Sequence, residues 1–391
     1  ELAPSLIWQE PLNSDQPSRK KIKKQLKDNG VKLVGFHSLL FNRPELKFFD
    51  GEETRLKTID YLKKLSELCN DLGGSQVVLG SPSNRSLNGR NYKSIWREED
   101  SGAVKIIDQR WLPHKFSIVN ITSCQETMTA IRDMWVRGAP LIGVTAAYGI
   151  AMAMEEDPSD QNLISAGSLL NSARPTAVNL AWAVTRMQNV LNETPQDKRA
   201  GKALNLADSM AKEDIAINRR IGEHGAKVIE DIFRQKSDGD PVRILTHCNA
   251  GWLATVDRGT ATAPIYEAFE KNVPIEVWVD ETRPRNQGAA LTTWELMHNQ
   301  IPHTLIVDNA GGHLMQNGLV DLCIVGSDRT TGTGDVCNKI GTYLKALAAK
   351  DNNIPFYVAL PSSTIDQSLS NGISEIPIEN REQHEVTHIQ G

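Results

Sequence analysis

Two observations predict an α/β fold whose C-terminal part is a doubly wound, Rossmann-like parallel sheet. Beyond Pro241, short and nearly unbroken apolar runs recur at residues 242–245, 275–279, 304–307, 322–325 and 355–359, with helical patterns at 262–271, 287–299 and 338–350. Apolar strands alternating with helices make a parallel sheet covered on both faces. Each run also ends in polar residues: Cys248, Asp280-Glu281, Asp308-Asn309, Asp328-Arg329 and Ser362-Ser363-Thr364. Ligands of open α/β sheets bind outside the carboxyl ends of the strands, so these five ends predict one shared cleft.

The elements divide into three stretches. Residues 1–86 read as a partial barrel-like βα segment: a strand at 31–37, then a helix at 54–72 with Leu56, Ile59, Leu62, Leu65 and Leu68 on one face. Gly73-Gly74 ends that helix and 76–80 is a second strand. So few βα units cannot close a barrel. The polar, turn-rich run at 81–89 marks the boundary. Residues 87–235 form a smaller α+β domain, with a strand at 104–108, a helix-rich region from 125 to 234, a small-residue helix at 146–154 and a connecting helix near 212–233. Residues 236–391 are the Rossmann-like domain.

Composition excludes several classes. A chain of 391 residues, 40% hydrophobic and 23% charged, has the balance of an ordinary globular protein. Its net charge of -5 gives no support for a nucleic-acid partner. No apolar run has the length of a membrane span, and no signal peptide is visible. Five scattered cysteines, Cys69, Cys124, Cys248, Cys323 and Cys337, make neither a disulfide framework nor a metal motif, so a reducing cytoplasmic setting is expected. Glu1 stands where an initiator Met is expected, which implies processing or a longer parent chain.

The most informative turn is Thr246-His247-Cys248-Asn249-Ala250-Gly251, after the first strand of the sheet and before a helix expected to open at Trp252. A helix amino terminus favours thiolate, which makes Cys248 a candidate reactive group; the alternative is a small buried hydrophobe. The turn lacks Gly-x-Gly-x-x-Gly, and Gly332-Thr333-Gly334-Asp335 lacks the P-loop lysine, so no dinucleotide cofactor is expected. Asp328 leaves an apolar strand, where partial burial suits a carboxyl to proton transfer, or else serves as a cap or an ion pair with Arg329. Asn338 and Lys339 are expected to begin a helix and offer an amide and a cation to an anion.

Arg137-Gly138-Ala139-Pro140 is the strongest phosphate-type feature: a bidentate donor, a glycine permitting close approach, and a proline suited to a helix start. Arg174-Pro175-Thr176 repeats the pattern. Gln287 lies beyond the second strand, within reach of sugar hydroxyls. His247 and His313 lie near the same edge, though a lone histidine is more often structural. Met134 and Trp135 are candidates for an apolar pocket wall, with core packing expected of at least one. The other four cysteines read as core or near-core thiols.

These motifs closely resemble the S-methyl-5-thioribose-1-phosphate isomerase family, whose superfamily also holds the alpha, beta and delta subunits of translation initiation factor 2B. The resemblance covers Tyr92 to Gly391 and rests on Ala130-Ile131-Arg132-Asp133-Met134-Trp135-Val136-Arg137-Gly138-Ala139-Pro140, Arg174-Pro175-Thr176-Ala177-Val178-Asn179, Thr246-His247-Cys248-Asn249, Asp280-Glu281-Thr282-Arg283-Pro284, Gly326-Ser327-Asp328-Arg329 and Gly334-Asp335-Val336-Cys337-Asn338-Lys339-Ile340-Gly341-Thr342. It implies Cys248 and Asp328 as the catalytic pair, with Arg137, Gly138, Ala139, Arg174, Gln287, Asn338 and Lys339 on the substrate. It also implies a homodimer, a sugar-phosphate substrate, and neither metal nor cofactor. Ser327 replaces the family's usual alanine. The family domain normally continues past Gly391 with a further strand and helix. Residues 1–86 instead resemble a piece of a xylose-isomerase-like sugar isomerase/epimerase barrel, either by gene fusion or as a fragment spanning two reading frames.

The implied reaction turns 5-methylthioribose 1-phosphate into 5-methylthioribulose 1-phosphate in methionine salvage. Phosphate on the anomeric oxygen blocks simple ring opening, so the ring oxygen must be protonated and a hydrogen moved from C2 to C1, through an enol phosphate or as a hydride. Asp328 is the expected general acid/base and Cys248 its partner. The alternatives are a ribose-1,5-bisphosphate isomerase, a non-catalytic assembly protein of the initiation factor 2B type, and a fragment that carries the motifs without activity.

Overall fold

The computed structural model describes residues 2–8, 10–41, 43, 45–47, 52–78, 93–98, 100–174, 177–237, 239–378 and 380–388. The chain splits into two compact units, Glu1–Asn91 and Tyr92–Gly391. The expected linker at 81–89 lies outside the described residues.

The first unit is a βαβ piece. Helix Glu52–Asp71 stands between strands Gly35–Phe36 and Gln76–Val77, which pair in parallel. The strand expected over 31–37 is two residues long, paired with Gln76–Val77 and bridged at Phe36 by Leu2 among the described residues. Leu33, Phe36, Leu39, Leu65, Leu68, Cys69 and Leu72 form a small core of its own. Leu56, expected on the apolar face, is exposed.

The second unit begins with a three-stranded antiparallel sheet, Ile95–Arg97, Val104–Ile107 and Ile118–Ile121. Helices Cys124–Arg132, Ala139–Glu156, Asp160–Ala173 and Val178–Asn192 follow. Helix Ala139–Glu156 is buried nearly all round, since alanine and glycine let neighbouring helices approach closely. The connecting helix is longer than its sequence pattern suggested, Gln196–Phe233.

Five strands then form the parallel sheet: β1 Val242–Thr246, β2 Ile275–Asp280, β3 His303–Ile306, β4 Leu322–Val325 and β5 Phe356–Val358. Their order across the sheet is β5-β4-β1-β2-β3, parallel at every pairing. This is a Rossmann-like order, and its direction reverses between β1 and β4, where ligands of such sheets bind. Helices Ala263–Glu270, Thr293–His298, Ala310–Gln316 and Thr342–Asp351 connect the strands. The third was not evident in the sequence, being short and glycine-rich.

Two local expectations are corrected. Trp252–Ala254 is only a single 3₁₀ turn, and the helix proper starts at Ala263. Gly332-Thr333-Gly334-Asp335 is the turn between antiparallel strands Arg329–Thr331 and Val336–Cys337.

Candidate active site

Cys248 leaves β1 in the left-handed backbone region, at φ 68. A non-glycine residue holds that conformation only when its surroundings enforce it. Here the Cys248 amide donates to Thr282 Oγ1 at 2.8 Å, and Thr292 Oγ1 donates to the Cys248 carbonyl at 2.7 Å. The thiol itself donates to Gln287 Oε1 at 3.1 Å.

A pocket of about 360 Å³ opens at this turn, within the usual range for small-molecule sites. Arg137, Gly138, Ala139, Arg174, Cys248, Gln287, Asp328, Asn338 and Lys339 all line it. These nine residues are therefore gathered in one cavity. They come from five places: the start of helix Ala139–Glu156, the end of helix Asp160–Ala173, the turn after β1, the segment after β2, and the excursion after β4.

Gly138 has φ 96, and a Cβ there would fall 2.4 Å from Ala254 Cα, so only glycine brings this turn against the cysteine loop. Arg137 is almost fully buried. Its Nη2 donates to the Asn249 carbonyl at 2.8 Å and to Asn249 Oδ1 at 3.1 Å. Burial pushes its guanidinium below the usual range, opposed by the nearby Cys248, Glu295 and Asp328.

Sequence reasoning missed the group beneath the loop. Glu295 is fully buried and accepts from the Trp252 and Leu253 amides, Asn249 Nδ2 and Tyr266 Oη at 2.8–3.0 Å. Desolvation raises its carboxyl above the usual range, against the pull of these donors. A lone acid inside the apolar Trp294-Glu295-Leu296 run was the available signal.

Several expectations change. Burial pushes the Cys248 thiol up, although Arg137 and Lys339 pull it down. Desolvation is the larger influence, and the helix whose dipole was to favour thiolate does not begin at this turn. Gln287 spends its carbonyl on that thiol. Asp328 is exposed at the pocket wall rather than partly buried, and Arg329 pairs with Asp366 at 3.6 Å. Asn338 and Lys339 sit in a loop, since the following helix starts only at Thr342 after Gly341. Pro175 and Thr176 lie outside the described residues, and the helix expected to start there begins at Val178.

The single cleft at five strand ends is also corrected. Asp280 and Asp308 turn away from the pocket, and Asp308 accepts from the Thr282 and Arg283 amides at 2.6 and 2.7 Å. The pocket lies at the reversal between β1 and β4, so β3 ends beside it. Ser363 and Thr364 bond Asn179 at 3.0 and 3.2 Å. Met134 lines the pocket, whereas Trp135 stacks on the Arg110 guanidinium at 4.5 Å. Cys337 lines the pocket too, and is not a core thiol. His313 is exposed on its helix.

Among the described residues, His247, Asp280 and Asp308 bring metal-ligand atoms within 4.8 Å of one another. The ammonium of Lys345 lies 3.1 Å from Asp280 Oδ2 and also donates to the Asp308 carbonyl, so an intrinsic cation serves this trio.

A parallel sheet with a thiol and a carboxylate at its reversal, behind an arginine-bearing helix start, defines a Rossmann-like pocket of small-molecule size. The chain belongs to the initiation factor 2 subunit family, which matches residues 135–391. It is 63% identical over 302 residues to methylthioribose-1-phosphate isomerase of Sinorhizobium medicae, covering 77% of this chain and 83% of that one. The Escherichia coli protein of the same name is 59% identical, covering 78% and 82%. Among solved structures, 5-methylthioribose 1-phosphate isomerase from Pyrococcus horikoshii aligns with a TM-score of 0.67 at 38% identity, covering 77% and 83%. Translation initiation factor eIF-2B subunit delta from A. fulgidus aligns at 0.63 and 41%, covering 75% and 84%.

Proposed function

We propose that this chain is an aldose–ketose isomerase converting 5-methylthioribose 1-phosphate to 5-methylthioribulose 1-phosphate, a step of methionine salvage. The observation that carries the reading is the meeting of Cys248 and Asp328 at the sheet reversal, in one pocket with Arg137, Arg174 and Lys339. The names of the relatives support it. The arginines and Lys339 hold the 1-phosphate through charge-assisted bonds. Met134, Ile376 and Ile378 supply apolar wall for the methylthio tail.

In this reading Asp328, open to the pocket, moves the proton at the sugar carbons. Cys248, kept as a thiol, donates toward developing negative charge or the ring oxygen. The ring opens as its oxygen gains a proton, and hydrogen passes from C2 to C1 with no net redox change. The assembly-protein reading has one observation in its favour, the 41% identity to a chain titled as an initiation factor subunit. Both reactive side chains in one pocket favour the enzyme.

A homodimer in the cytoplasm belongs to the same proposal. It is supported by an apolar groove at Ile217, Ile221, Val228, Leu322 and Ile324. No helix among the described residues is long and apolar enough to cross a membrane. The test is direct: purified chain is given 5-methylthioribose 1-phosphate and ketose formation is followed. A folded chain that yields no ketose sinks the proposal.

A further inference from the structure

His247 precedes Cys248 and is 1% exposed, yet it does not line the pocket. Its two ring nitrogens reach in different directions. Nδ1 shares a 2.7 Å hydrogen bond with Asp280 Oδ2 at the end of β2. Nε2 lies 2.7 Å from the Ile340 carbonyl, in the loop that carries Asn338 and Lys339. A carbonyl oxygen only accepts, so Nε2 carries the hydrogen and donates.

The loop is pressed onto the imidazole as well. Gly341 has φ 102, and a Cβ there would come 2.9 Å from His247 Cε1 and Nε2. Just beyond it, helix Thr342–Asp351 contributes Lys345, whose ammonium lies 3.1 Å from the same Asp280 oxygen. The loop between β4 and its helix is thus tied on both sides of Gly341 to the floor beneath Cys248.

We propose that His247 is a positioning residue, a buried clamp that holds the Asn338-Lys339 loop in register with the Cys248 turn. This rests on the reading that Lys339 holds the substrate phosphate. A lysine on an untethered loop spends binding energy on ordering itself, whereas a tethered one is set before substrate arrives. The signature is a binding defect, because the phosphate is held alike in the ground state and in the transition state.

The experiment compares His247→Asn, His247→Gln and Lys339→Ala in the full chain, using 5-methylthioribose 1-phosphate. An asparagine amide reaches the place of Nδ1 and keeps Asp280; a glutamine amide reaches the place of Nε2 and keeps Ile340. His247→Asn is expected to raise KM by about tenfold or more with a much smaller change in kcat, and His247→Gln to recover most of the loss. Equal KM values for the two variants, or a wild-type KM in His247→Asn, overturn the clamp.

Lys339→Ala separates the two claims. A wild-type KM in that variant removes the phosphate reading, and the clamp is then decided by hydrogen exchange over residues 338–345. Faster exchange in His247→Asn but not in His247→Gln supports it, and unchanged exchange in both overturns it. Should the variants fail to fold, nitrogen NMR of wild-type His247 decides. A protonated, slowly exchanging Nε2 supports the clamp, and an unprotonated Nε2 overturns it.

Discussion

Arg137 and Asn249 are locked together: one guanidinium nitrogen donates to both the backbone carbonyl and the side-chain oxygen of Asn249, at 2.8 and 3.1 Å. The arginine proposed to hold the phosphate and the turn that carries the thiol are therefore joined as one hydrogen-bonded unit.

From this unit, Arg137→Ala is expected to cost roughly 1.5–3 kcal/mol or more in transition-state stabilisation, visible in kcat as well as KM. Arg137→Lys should rescue little, since an ammonium cannot reproduce the forked contact with Asn249. Steady-state kinetics on folded variants check this. A pure KM effect, fully rescued by lysine, would leave Arg137 as a simple charge.

The pair itself makes a second prediction. Cys248→Ser and Asp328→Asn should each lower turnover by at least ~10²-fold, the scale of general acid–base catalysis. The double variant should be little worse than the poorer single one, because the two groups act on one proton path. Chelators and added NAD should leave the rate unchanged. Near-normal turnover in Asp328→Asn, or a requirement for metal, would show that the chemistry runs elsewhere.

Beneath the loop, the Glu295 carboxyl accepts from four donors, three of them on the cysteine loop. Glu295→Gln keeps the shape but turns an NH2 toward groups that are themselves donors. The expected cost is about 2–4 kcal/mol of stability, from buried donors left without acceptors. Denaturant unfolding measures it, and a change below the scatter of the measurement would mean that the loop holds itself.

Asp214, on the long connecting helix, is buried and accepts from the Val256 amide at 2.7 Å. Desolvation raises its carboxyl from 3.8 to about 7. The folded state therefore holds a proton that the unfolded chain releases near pH 4. Its stabilising contribution is complete below that pH and is lost as pH rises through about 7, at up to about 1.4 kcal/mol per pH unit. Asp214→Asn removes this slope and can still accept from Val256. Its stability relative to wild type should rise between about pH 4 and 7 and level off above that, and a flat difference would mean that the carboxyl titrates normally.

The described residues of the N-terminal βαβ unit have a small core of their own. Deleting residues 1–86 is expected to leave turnover within a few-fold and not to lower the yield of folded protein. Loss of soluble protein on deletion would tie the two units together energetically.

Much of this was legible in order along the chain. Leu322–Val325 and the helix start at Ala139 were readable to within a residue, because an apolar run and an Arg-Gly-Ala-Pro turn each express a local rule. Of residues 31–37 only Gly35–Phe36 became strand, since pairing depends on a partner that local pattern does not reveal. The Asn338-Lys339 loop failed as a helix start because Gly341, at φ 102, resets the backbone first. Asn249 and Glu295 went unnoticed because their roles exist only across the fold.

The sequence by itself determined the alternation of strands and helices, the residues able to bear charge or donate a proton, and the missing dinucleotide turn. These follow from side-chain chemistry and from periods of a few residues. Only the tertiary structure decided which strand ends share the pocket. The order β5-β4-β1-β2-β3 sets Cys248 and Asp328 on neighbouring strands and carries Asp308 away. It also decided that burial pushes the Cys248 thiol up, against the pull of two nearby cations. Strand order and desolvation both depend on what the rest of the chain packs around a residue, and no short stretch of sequence contains that information.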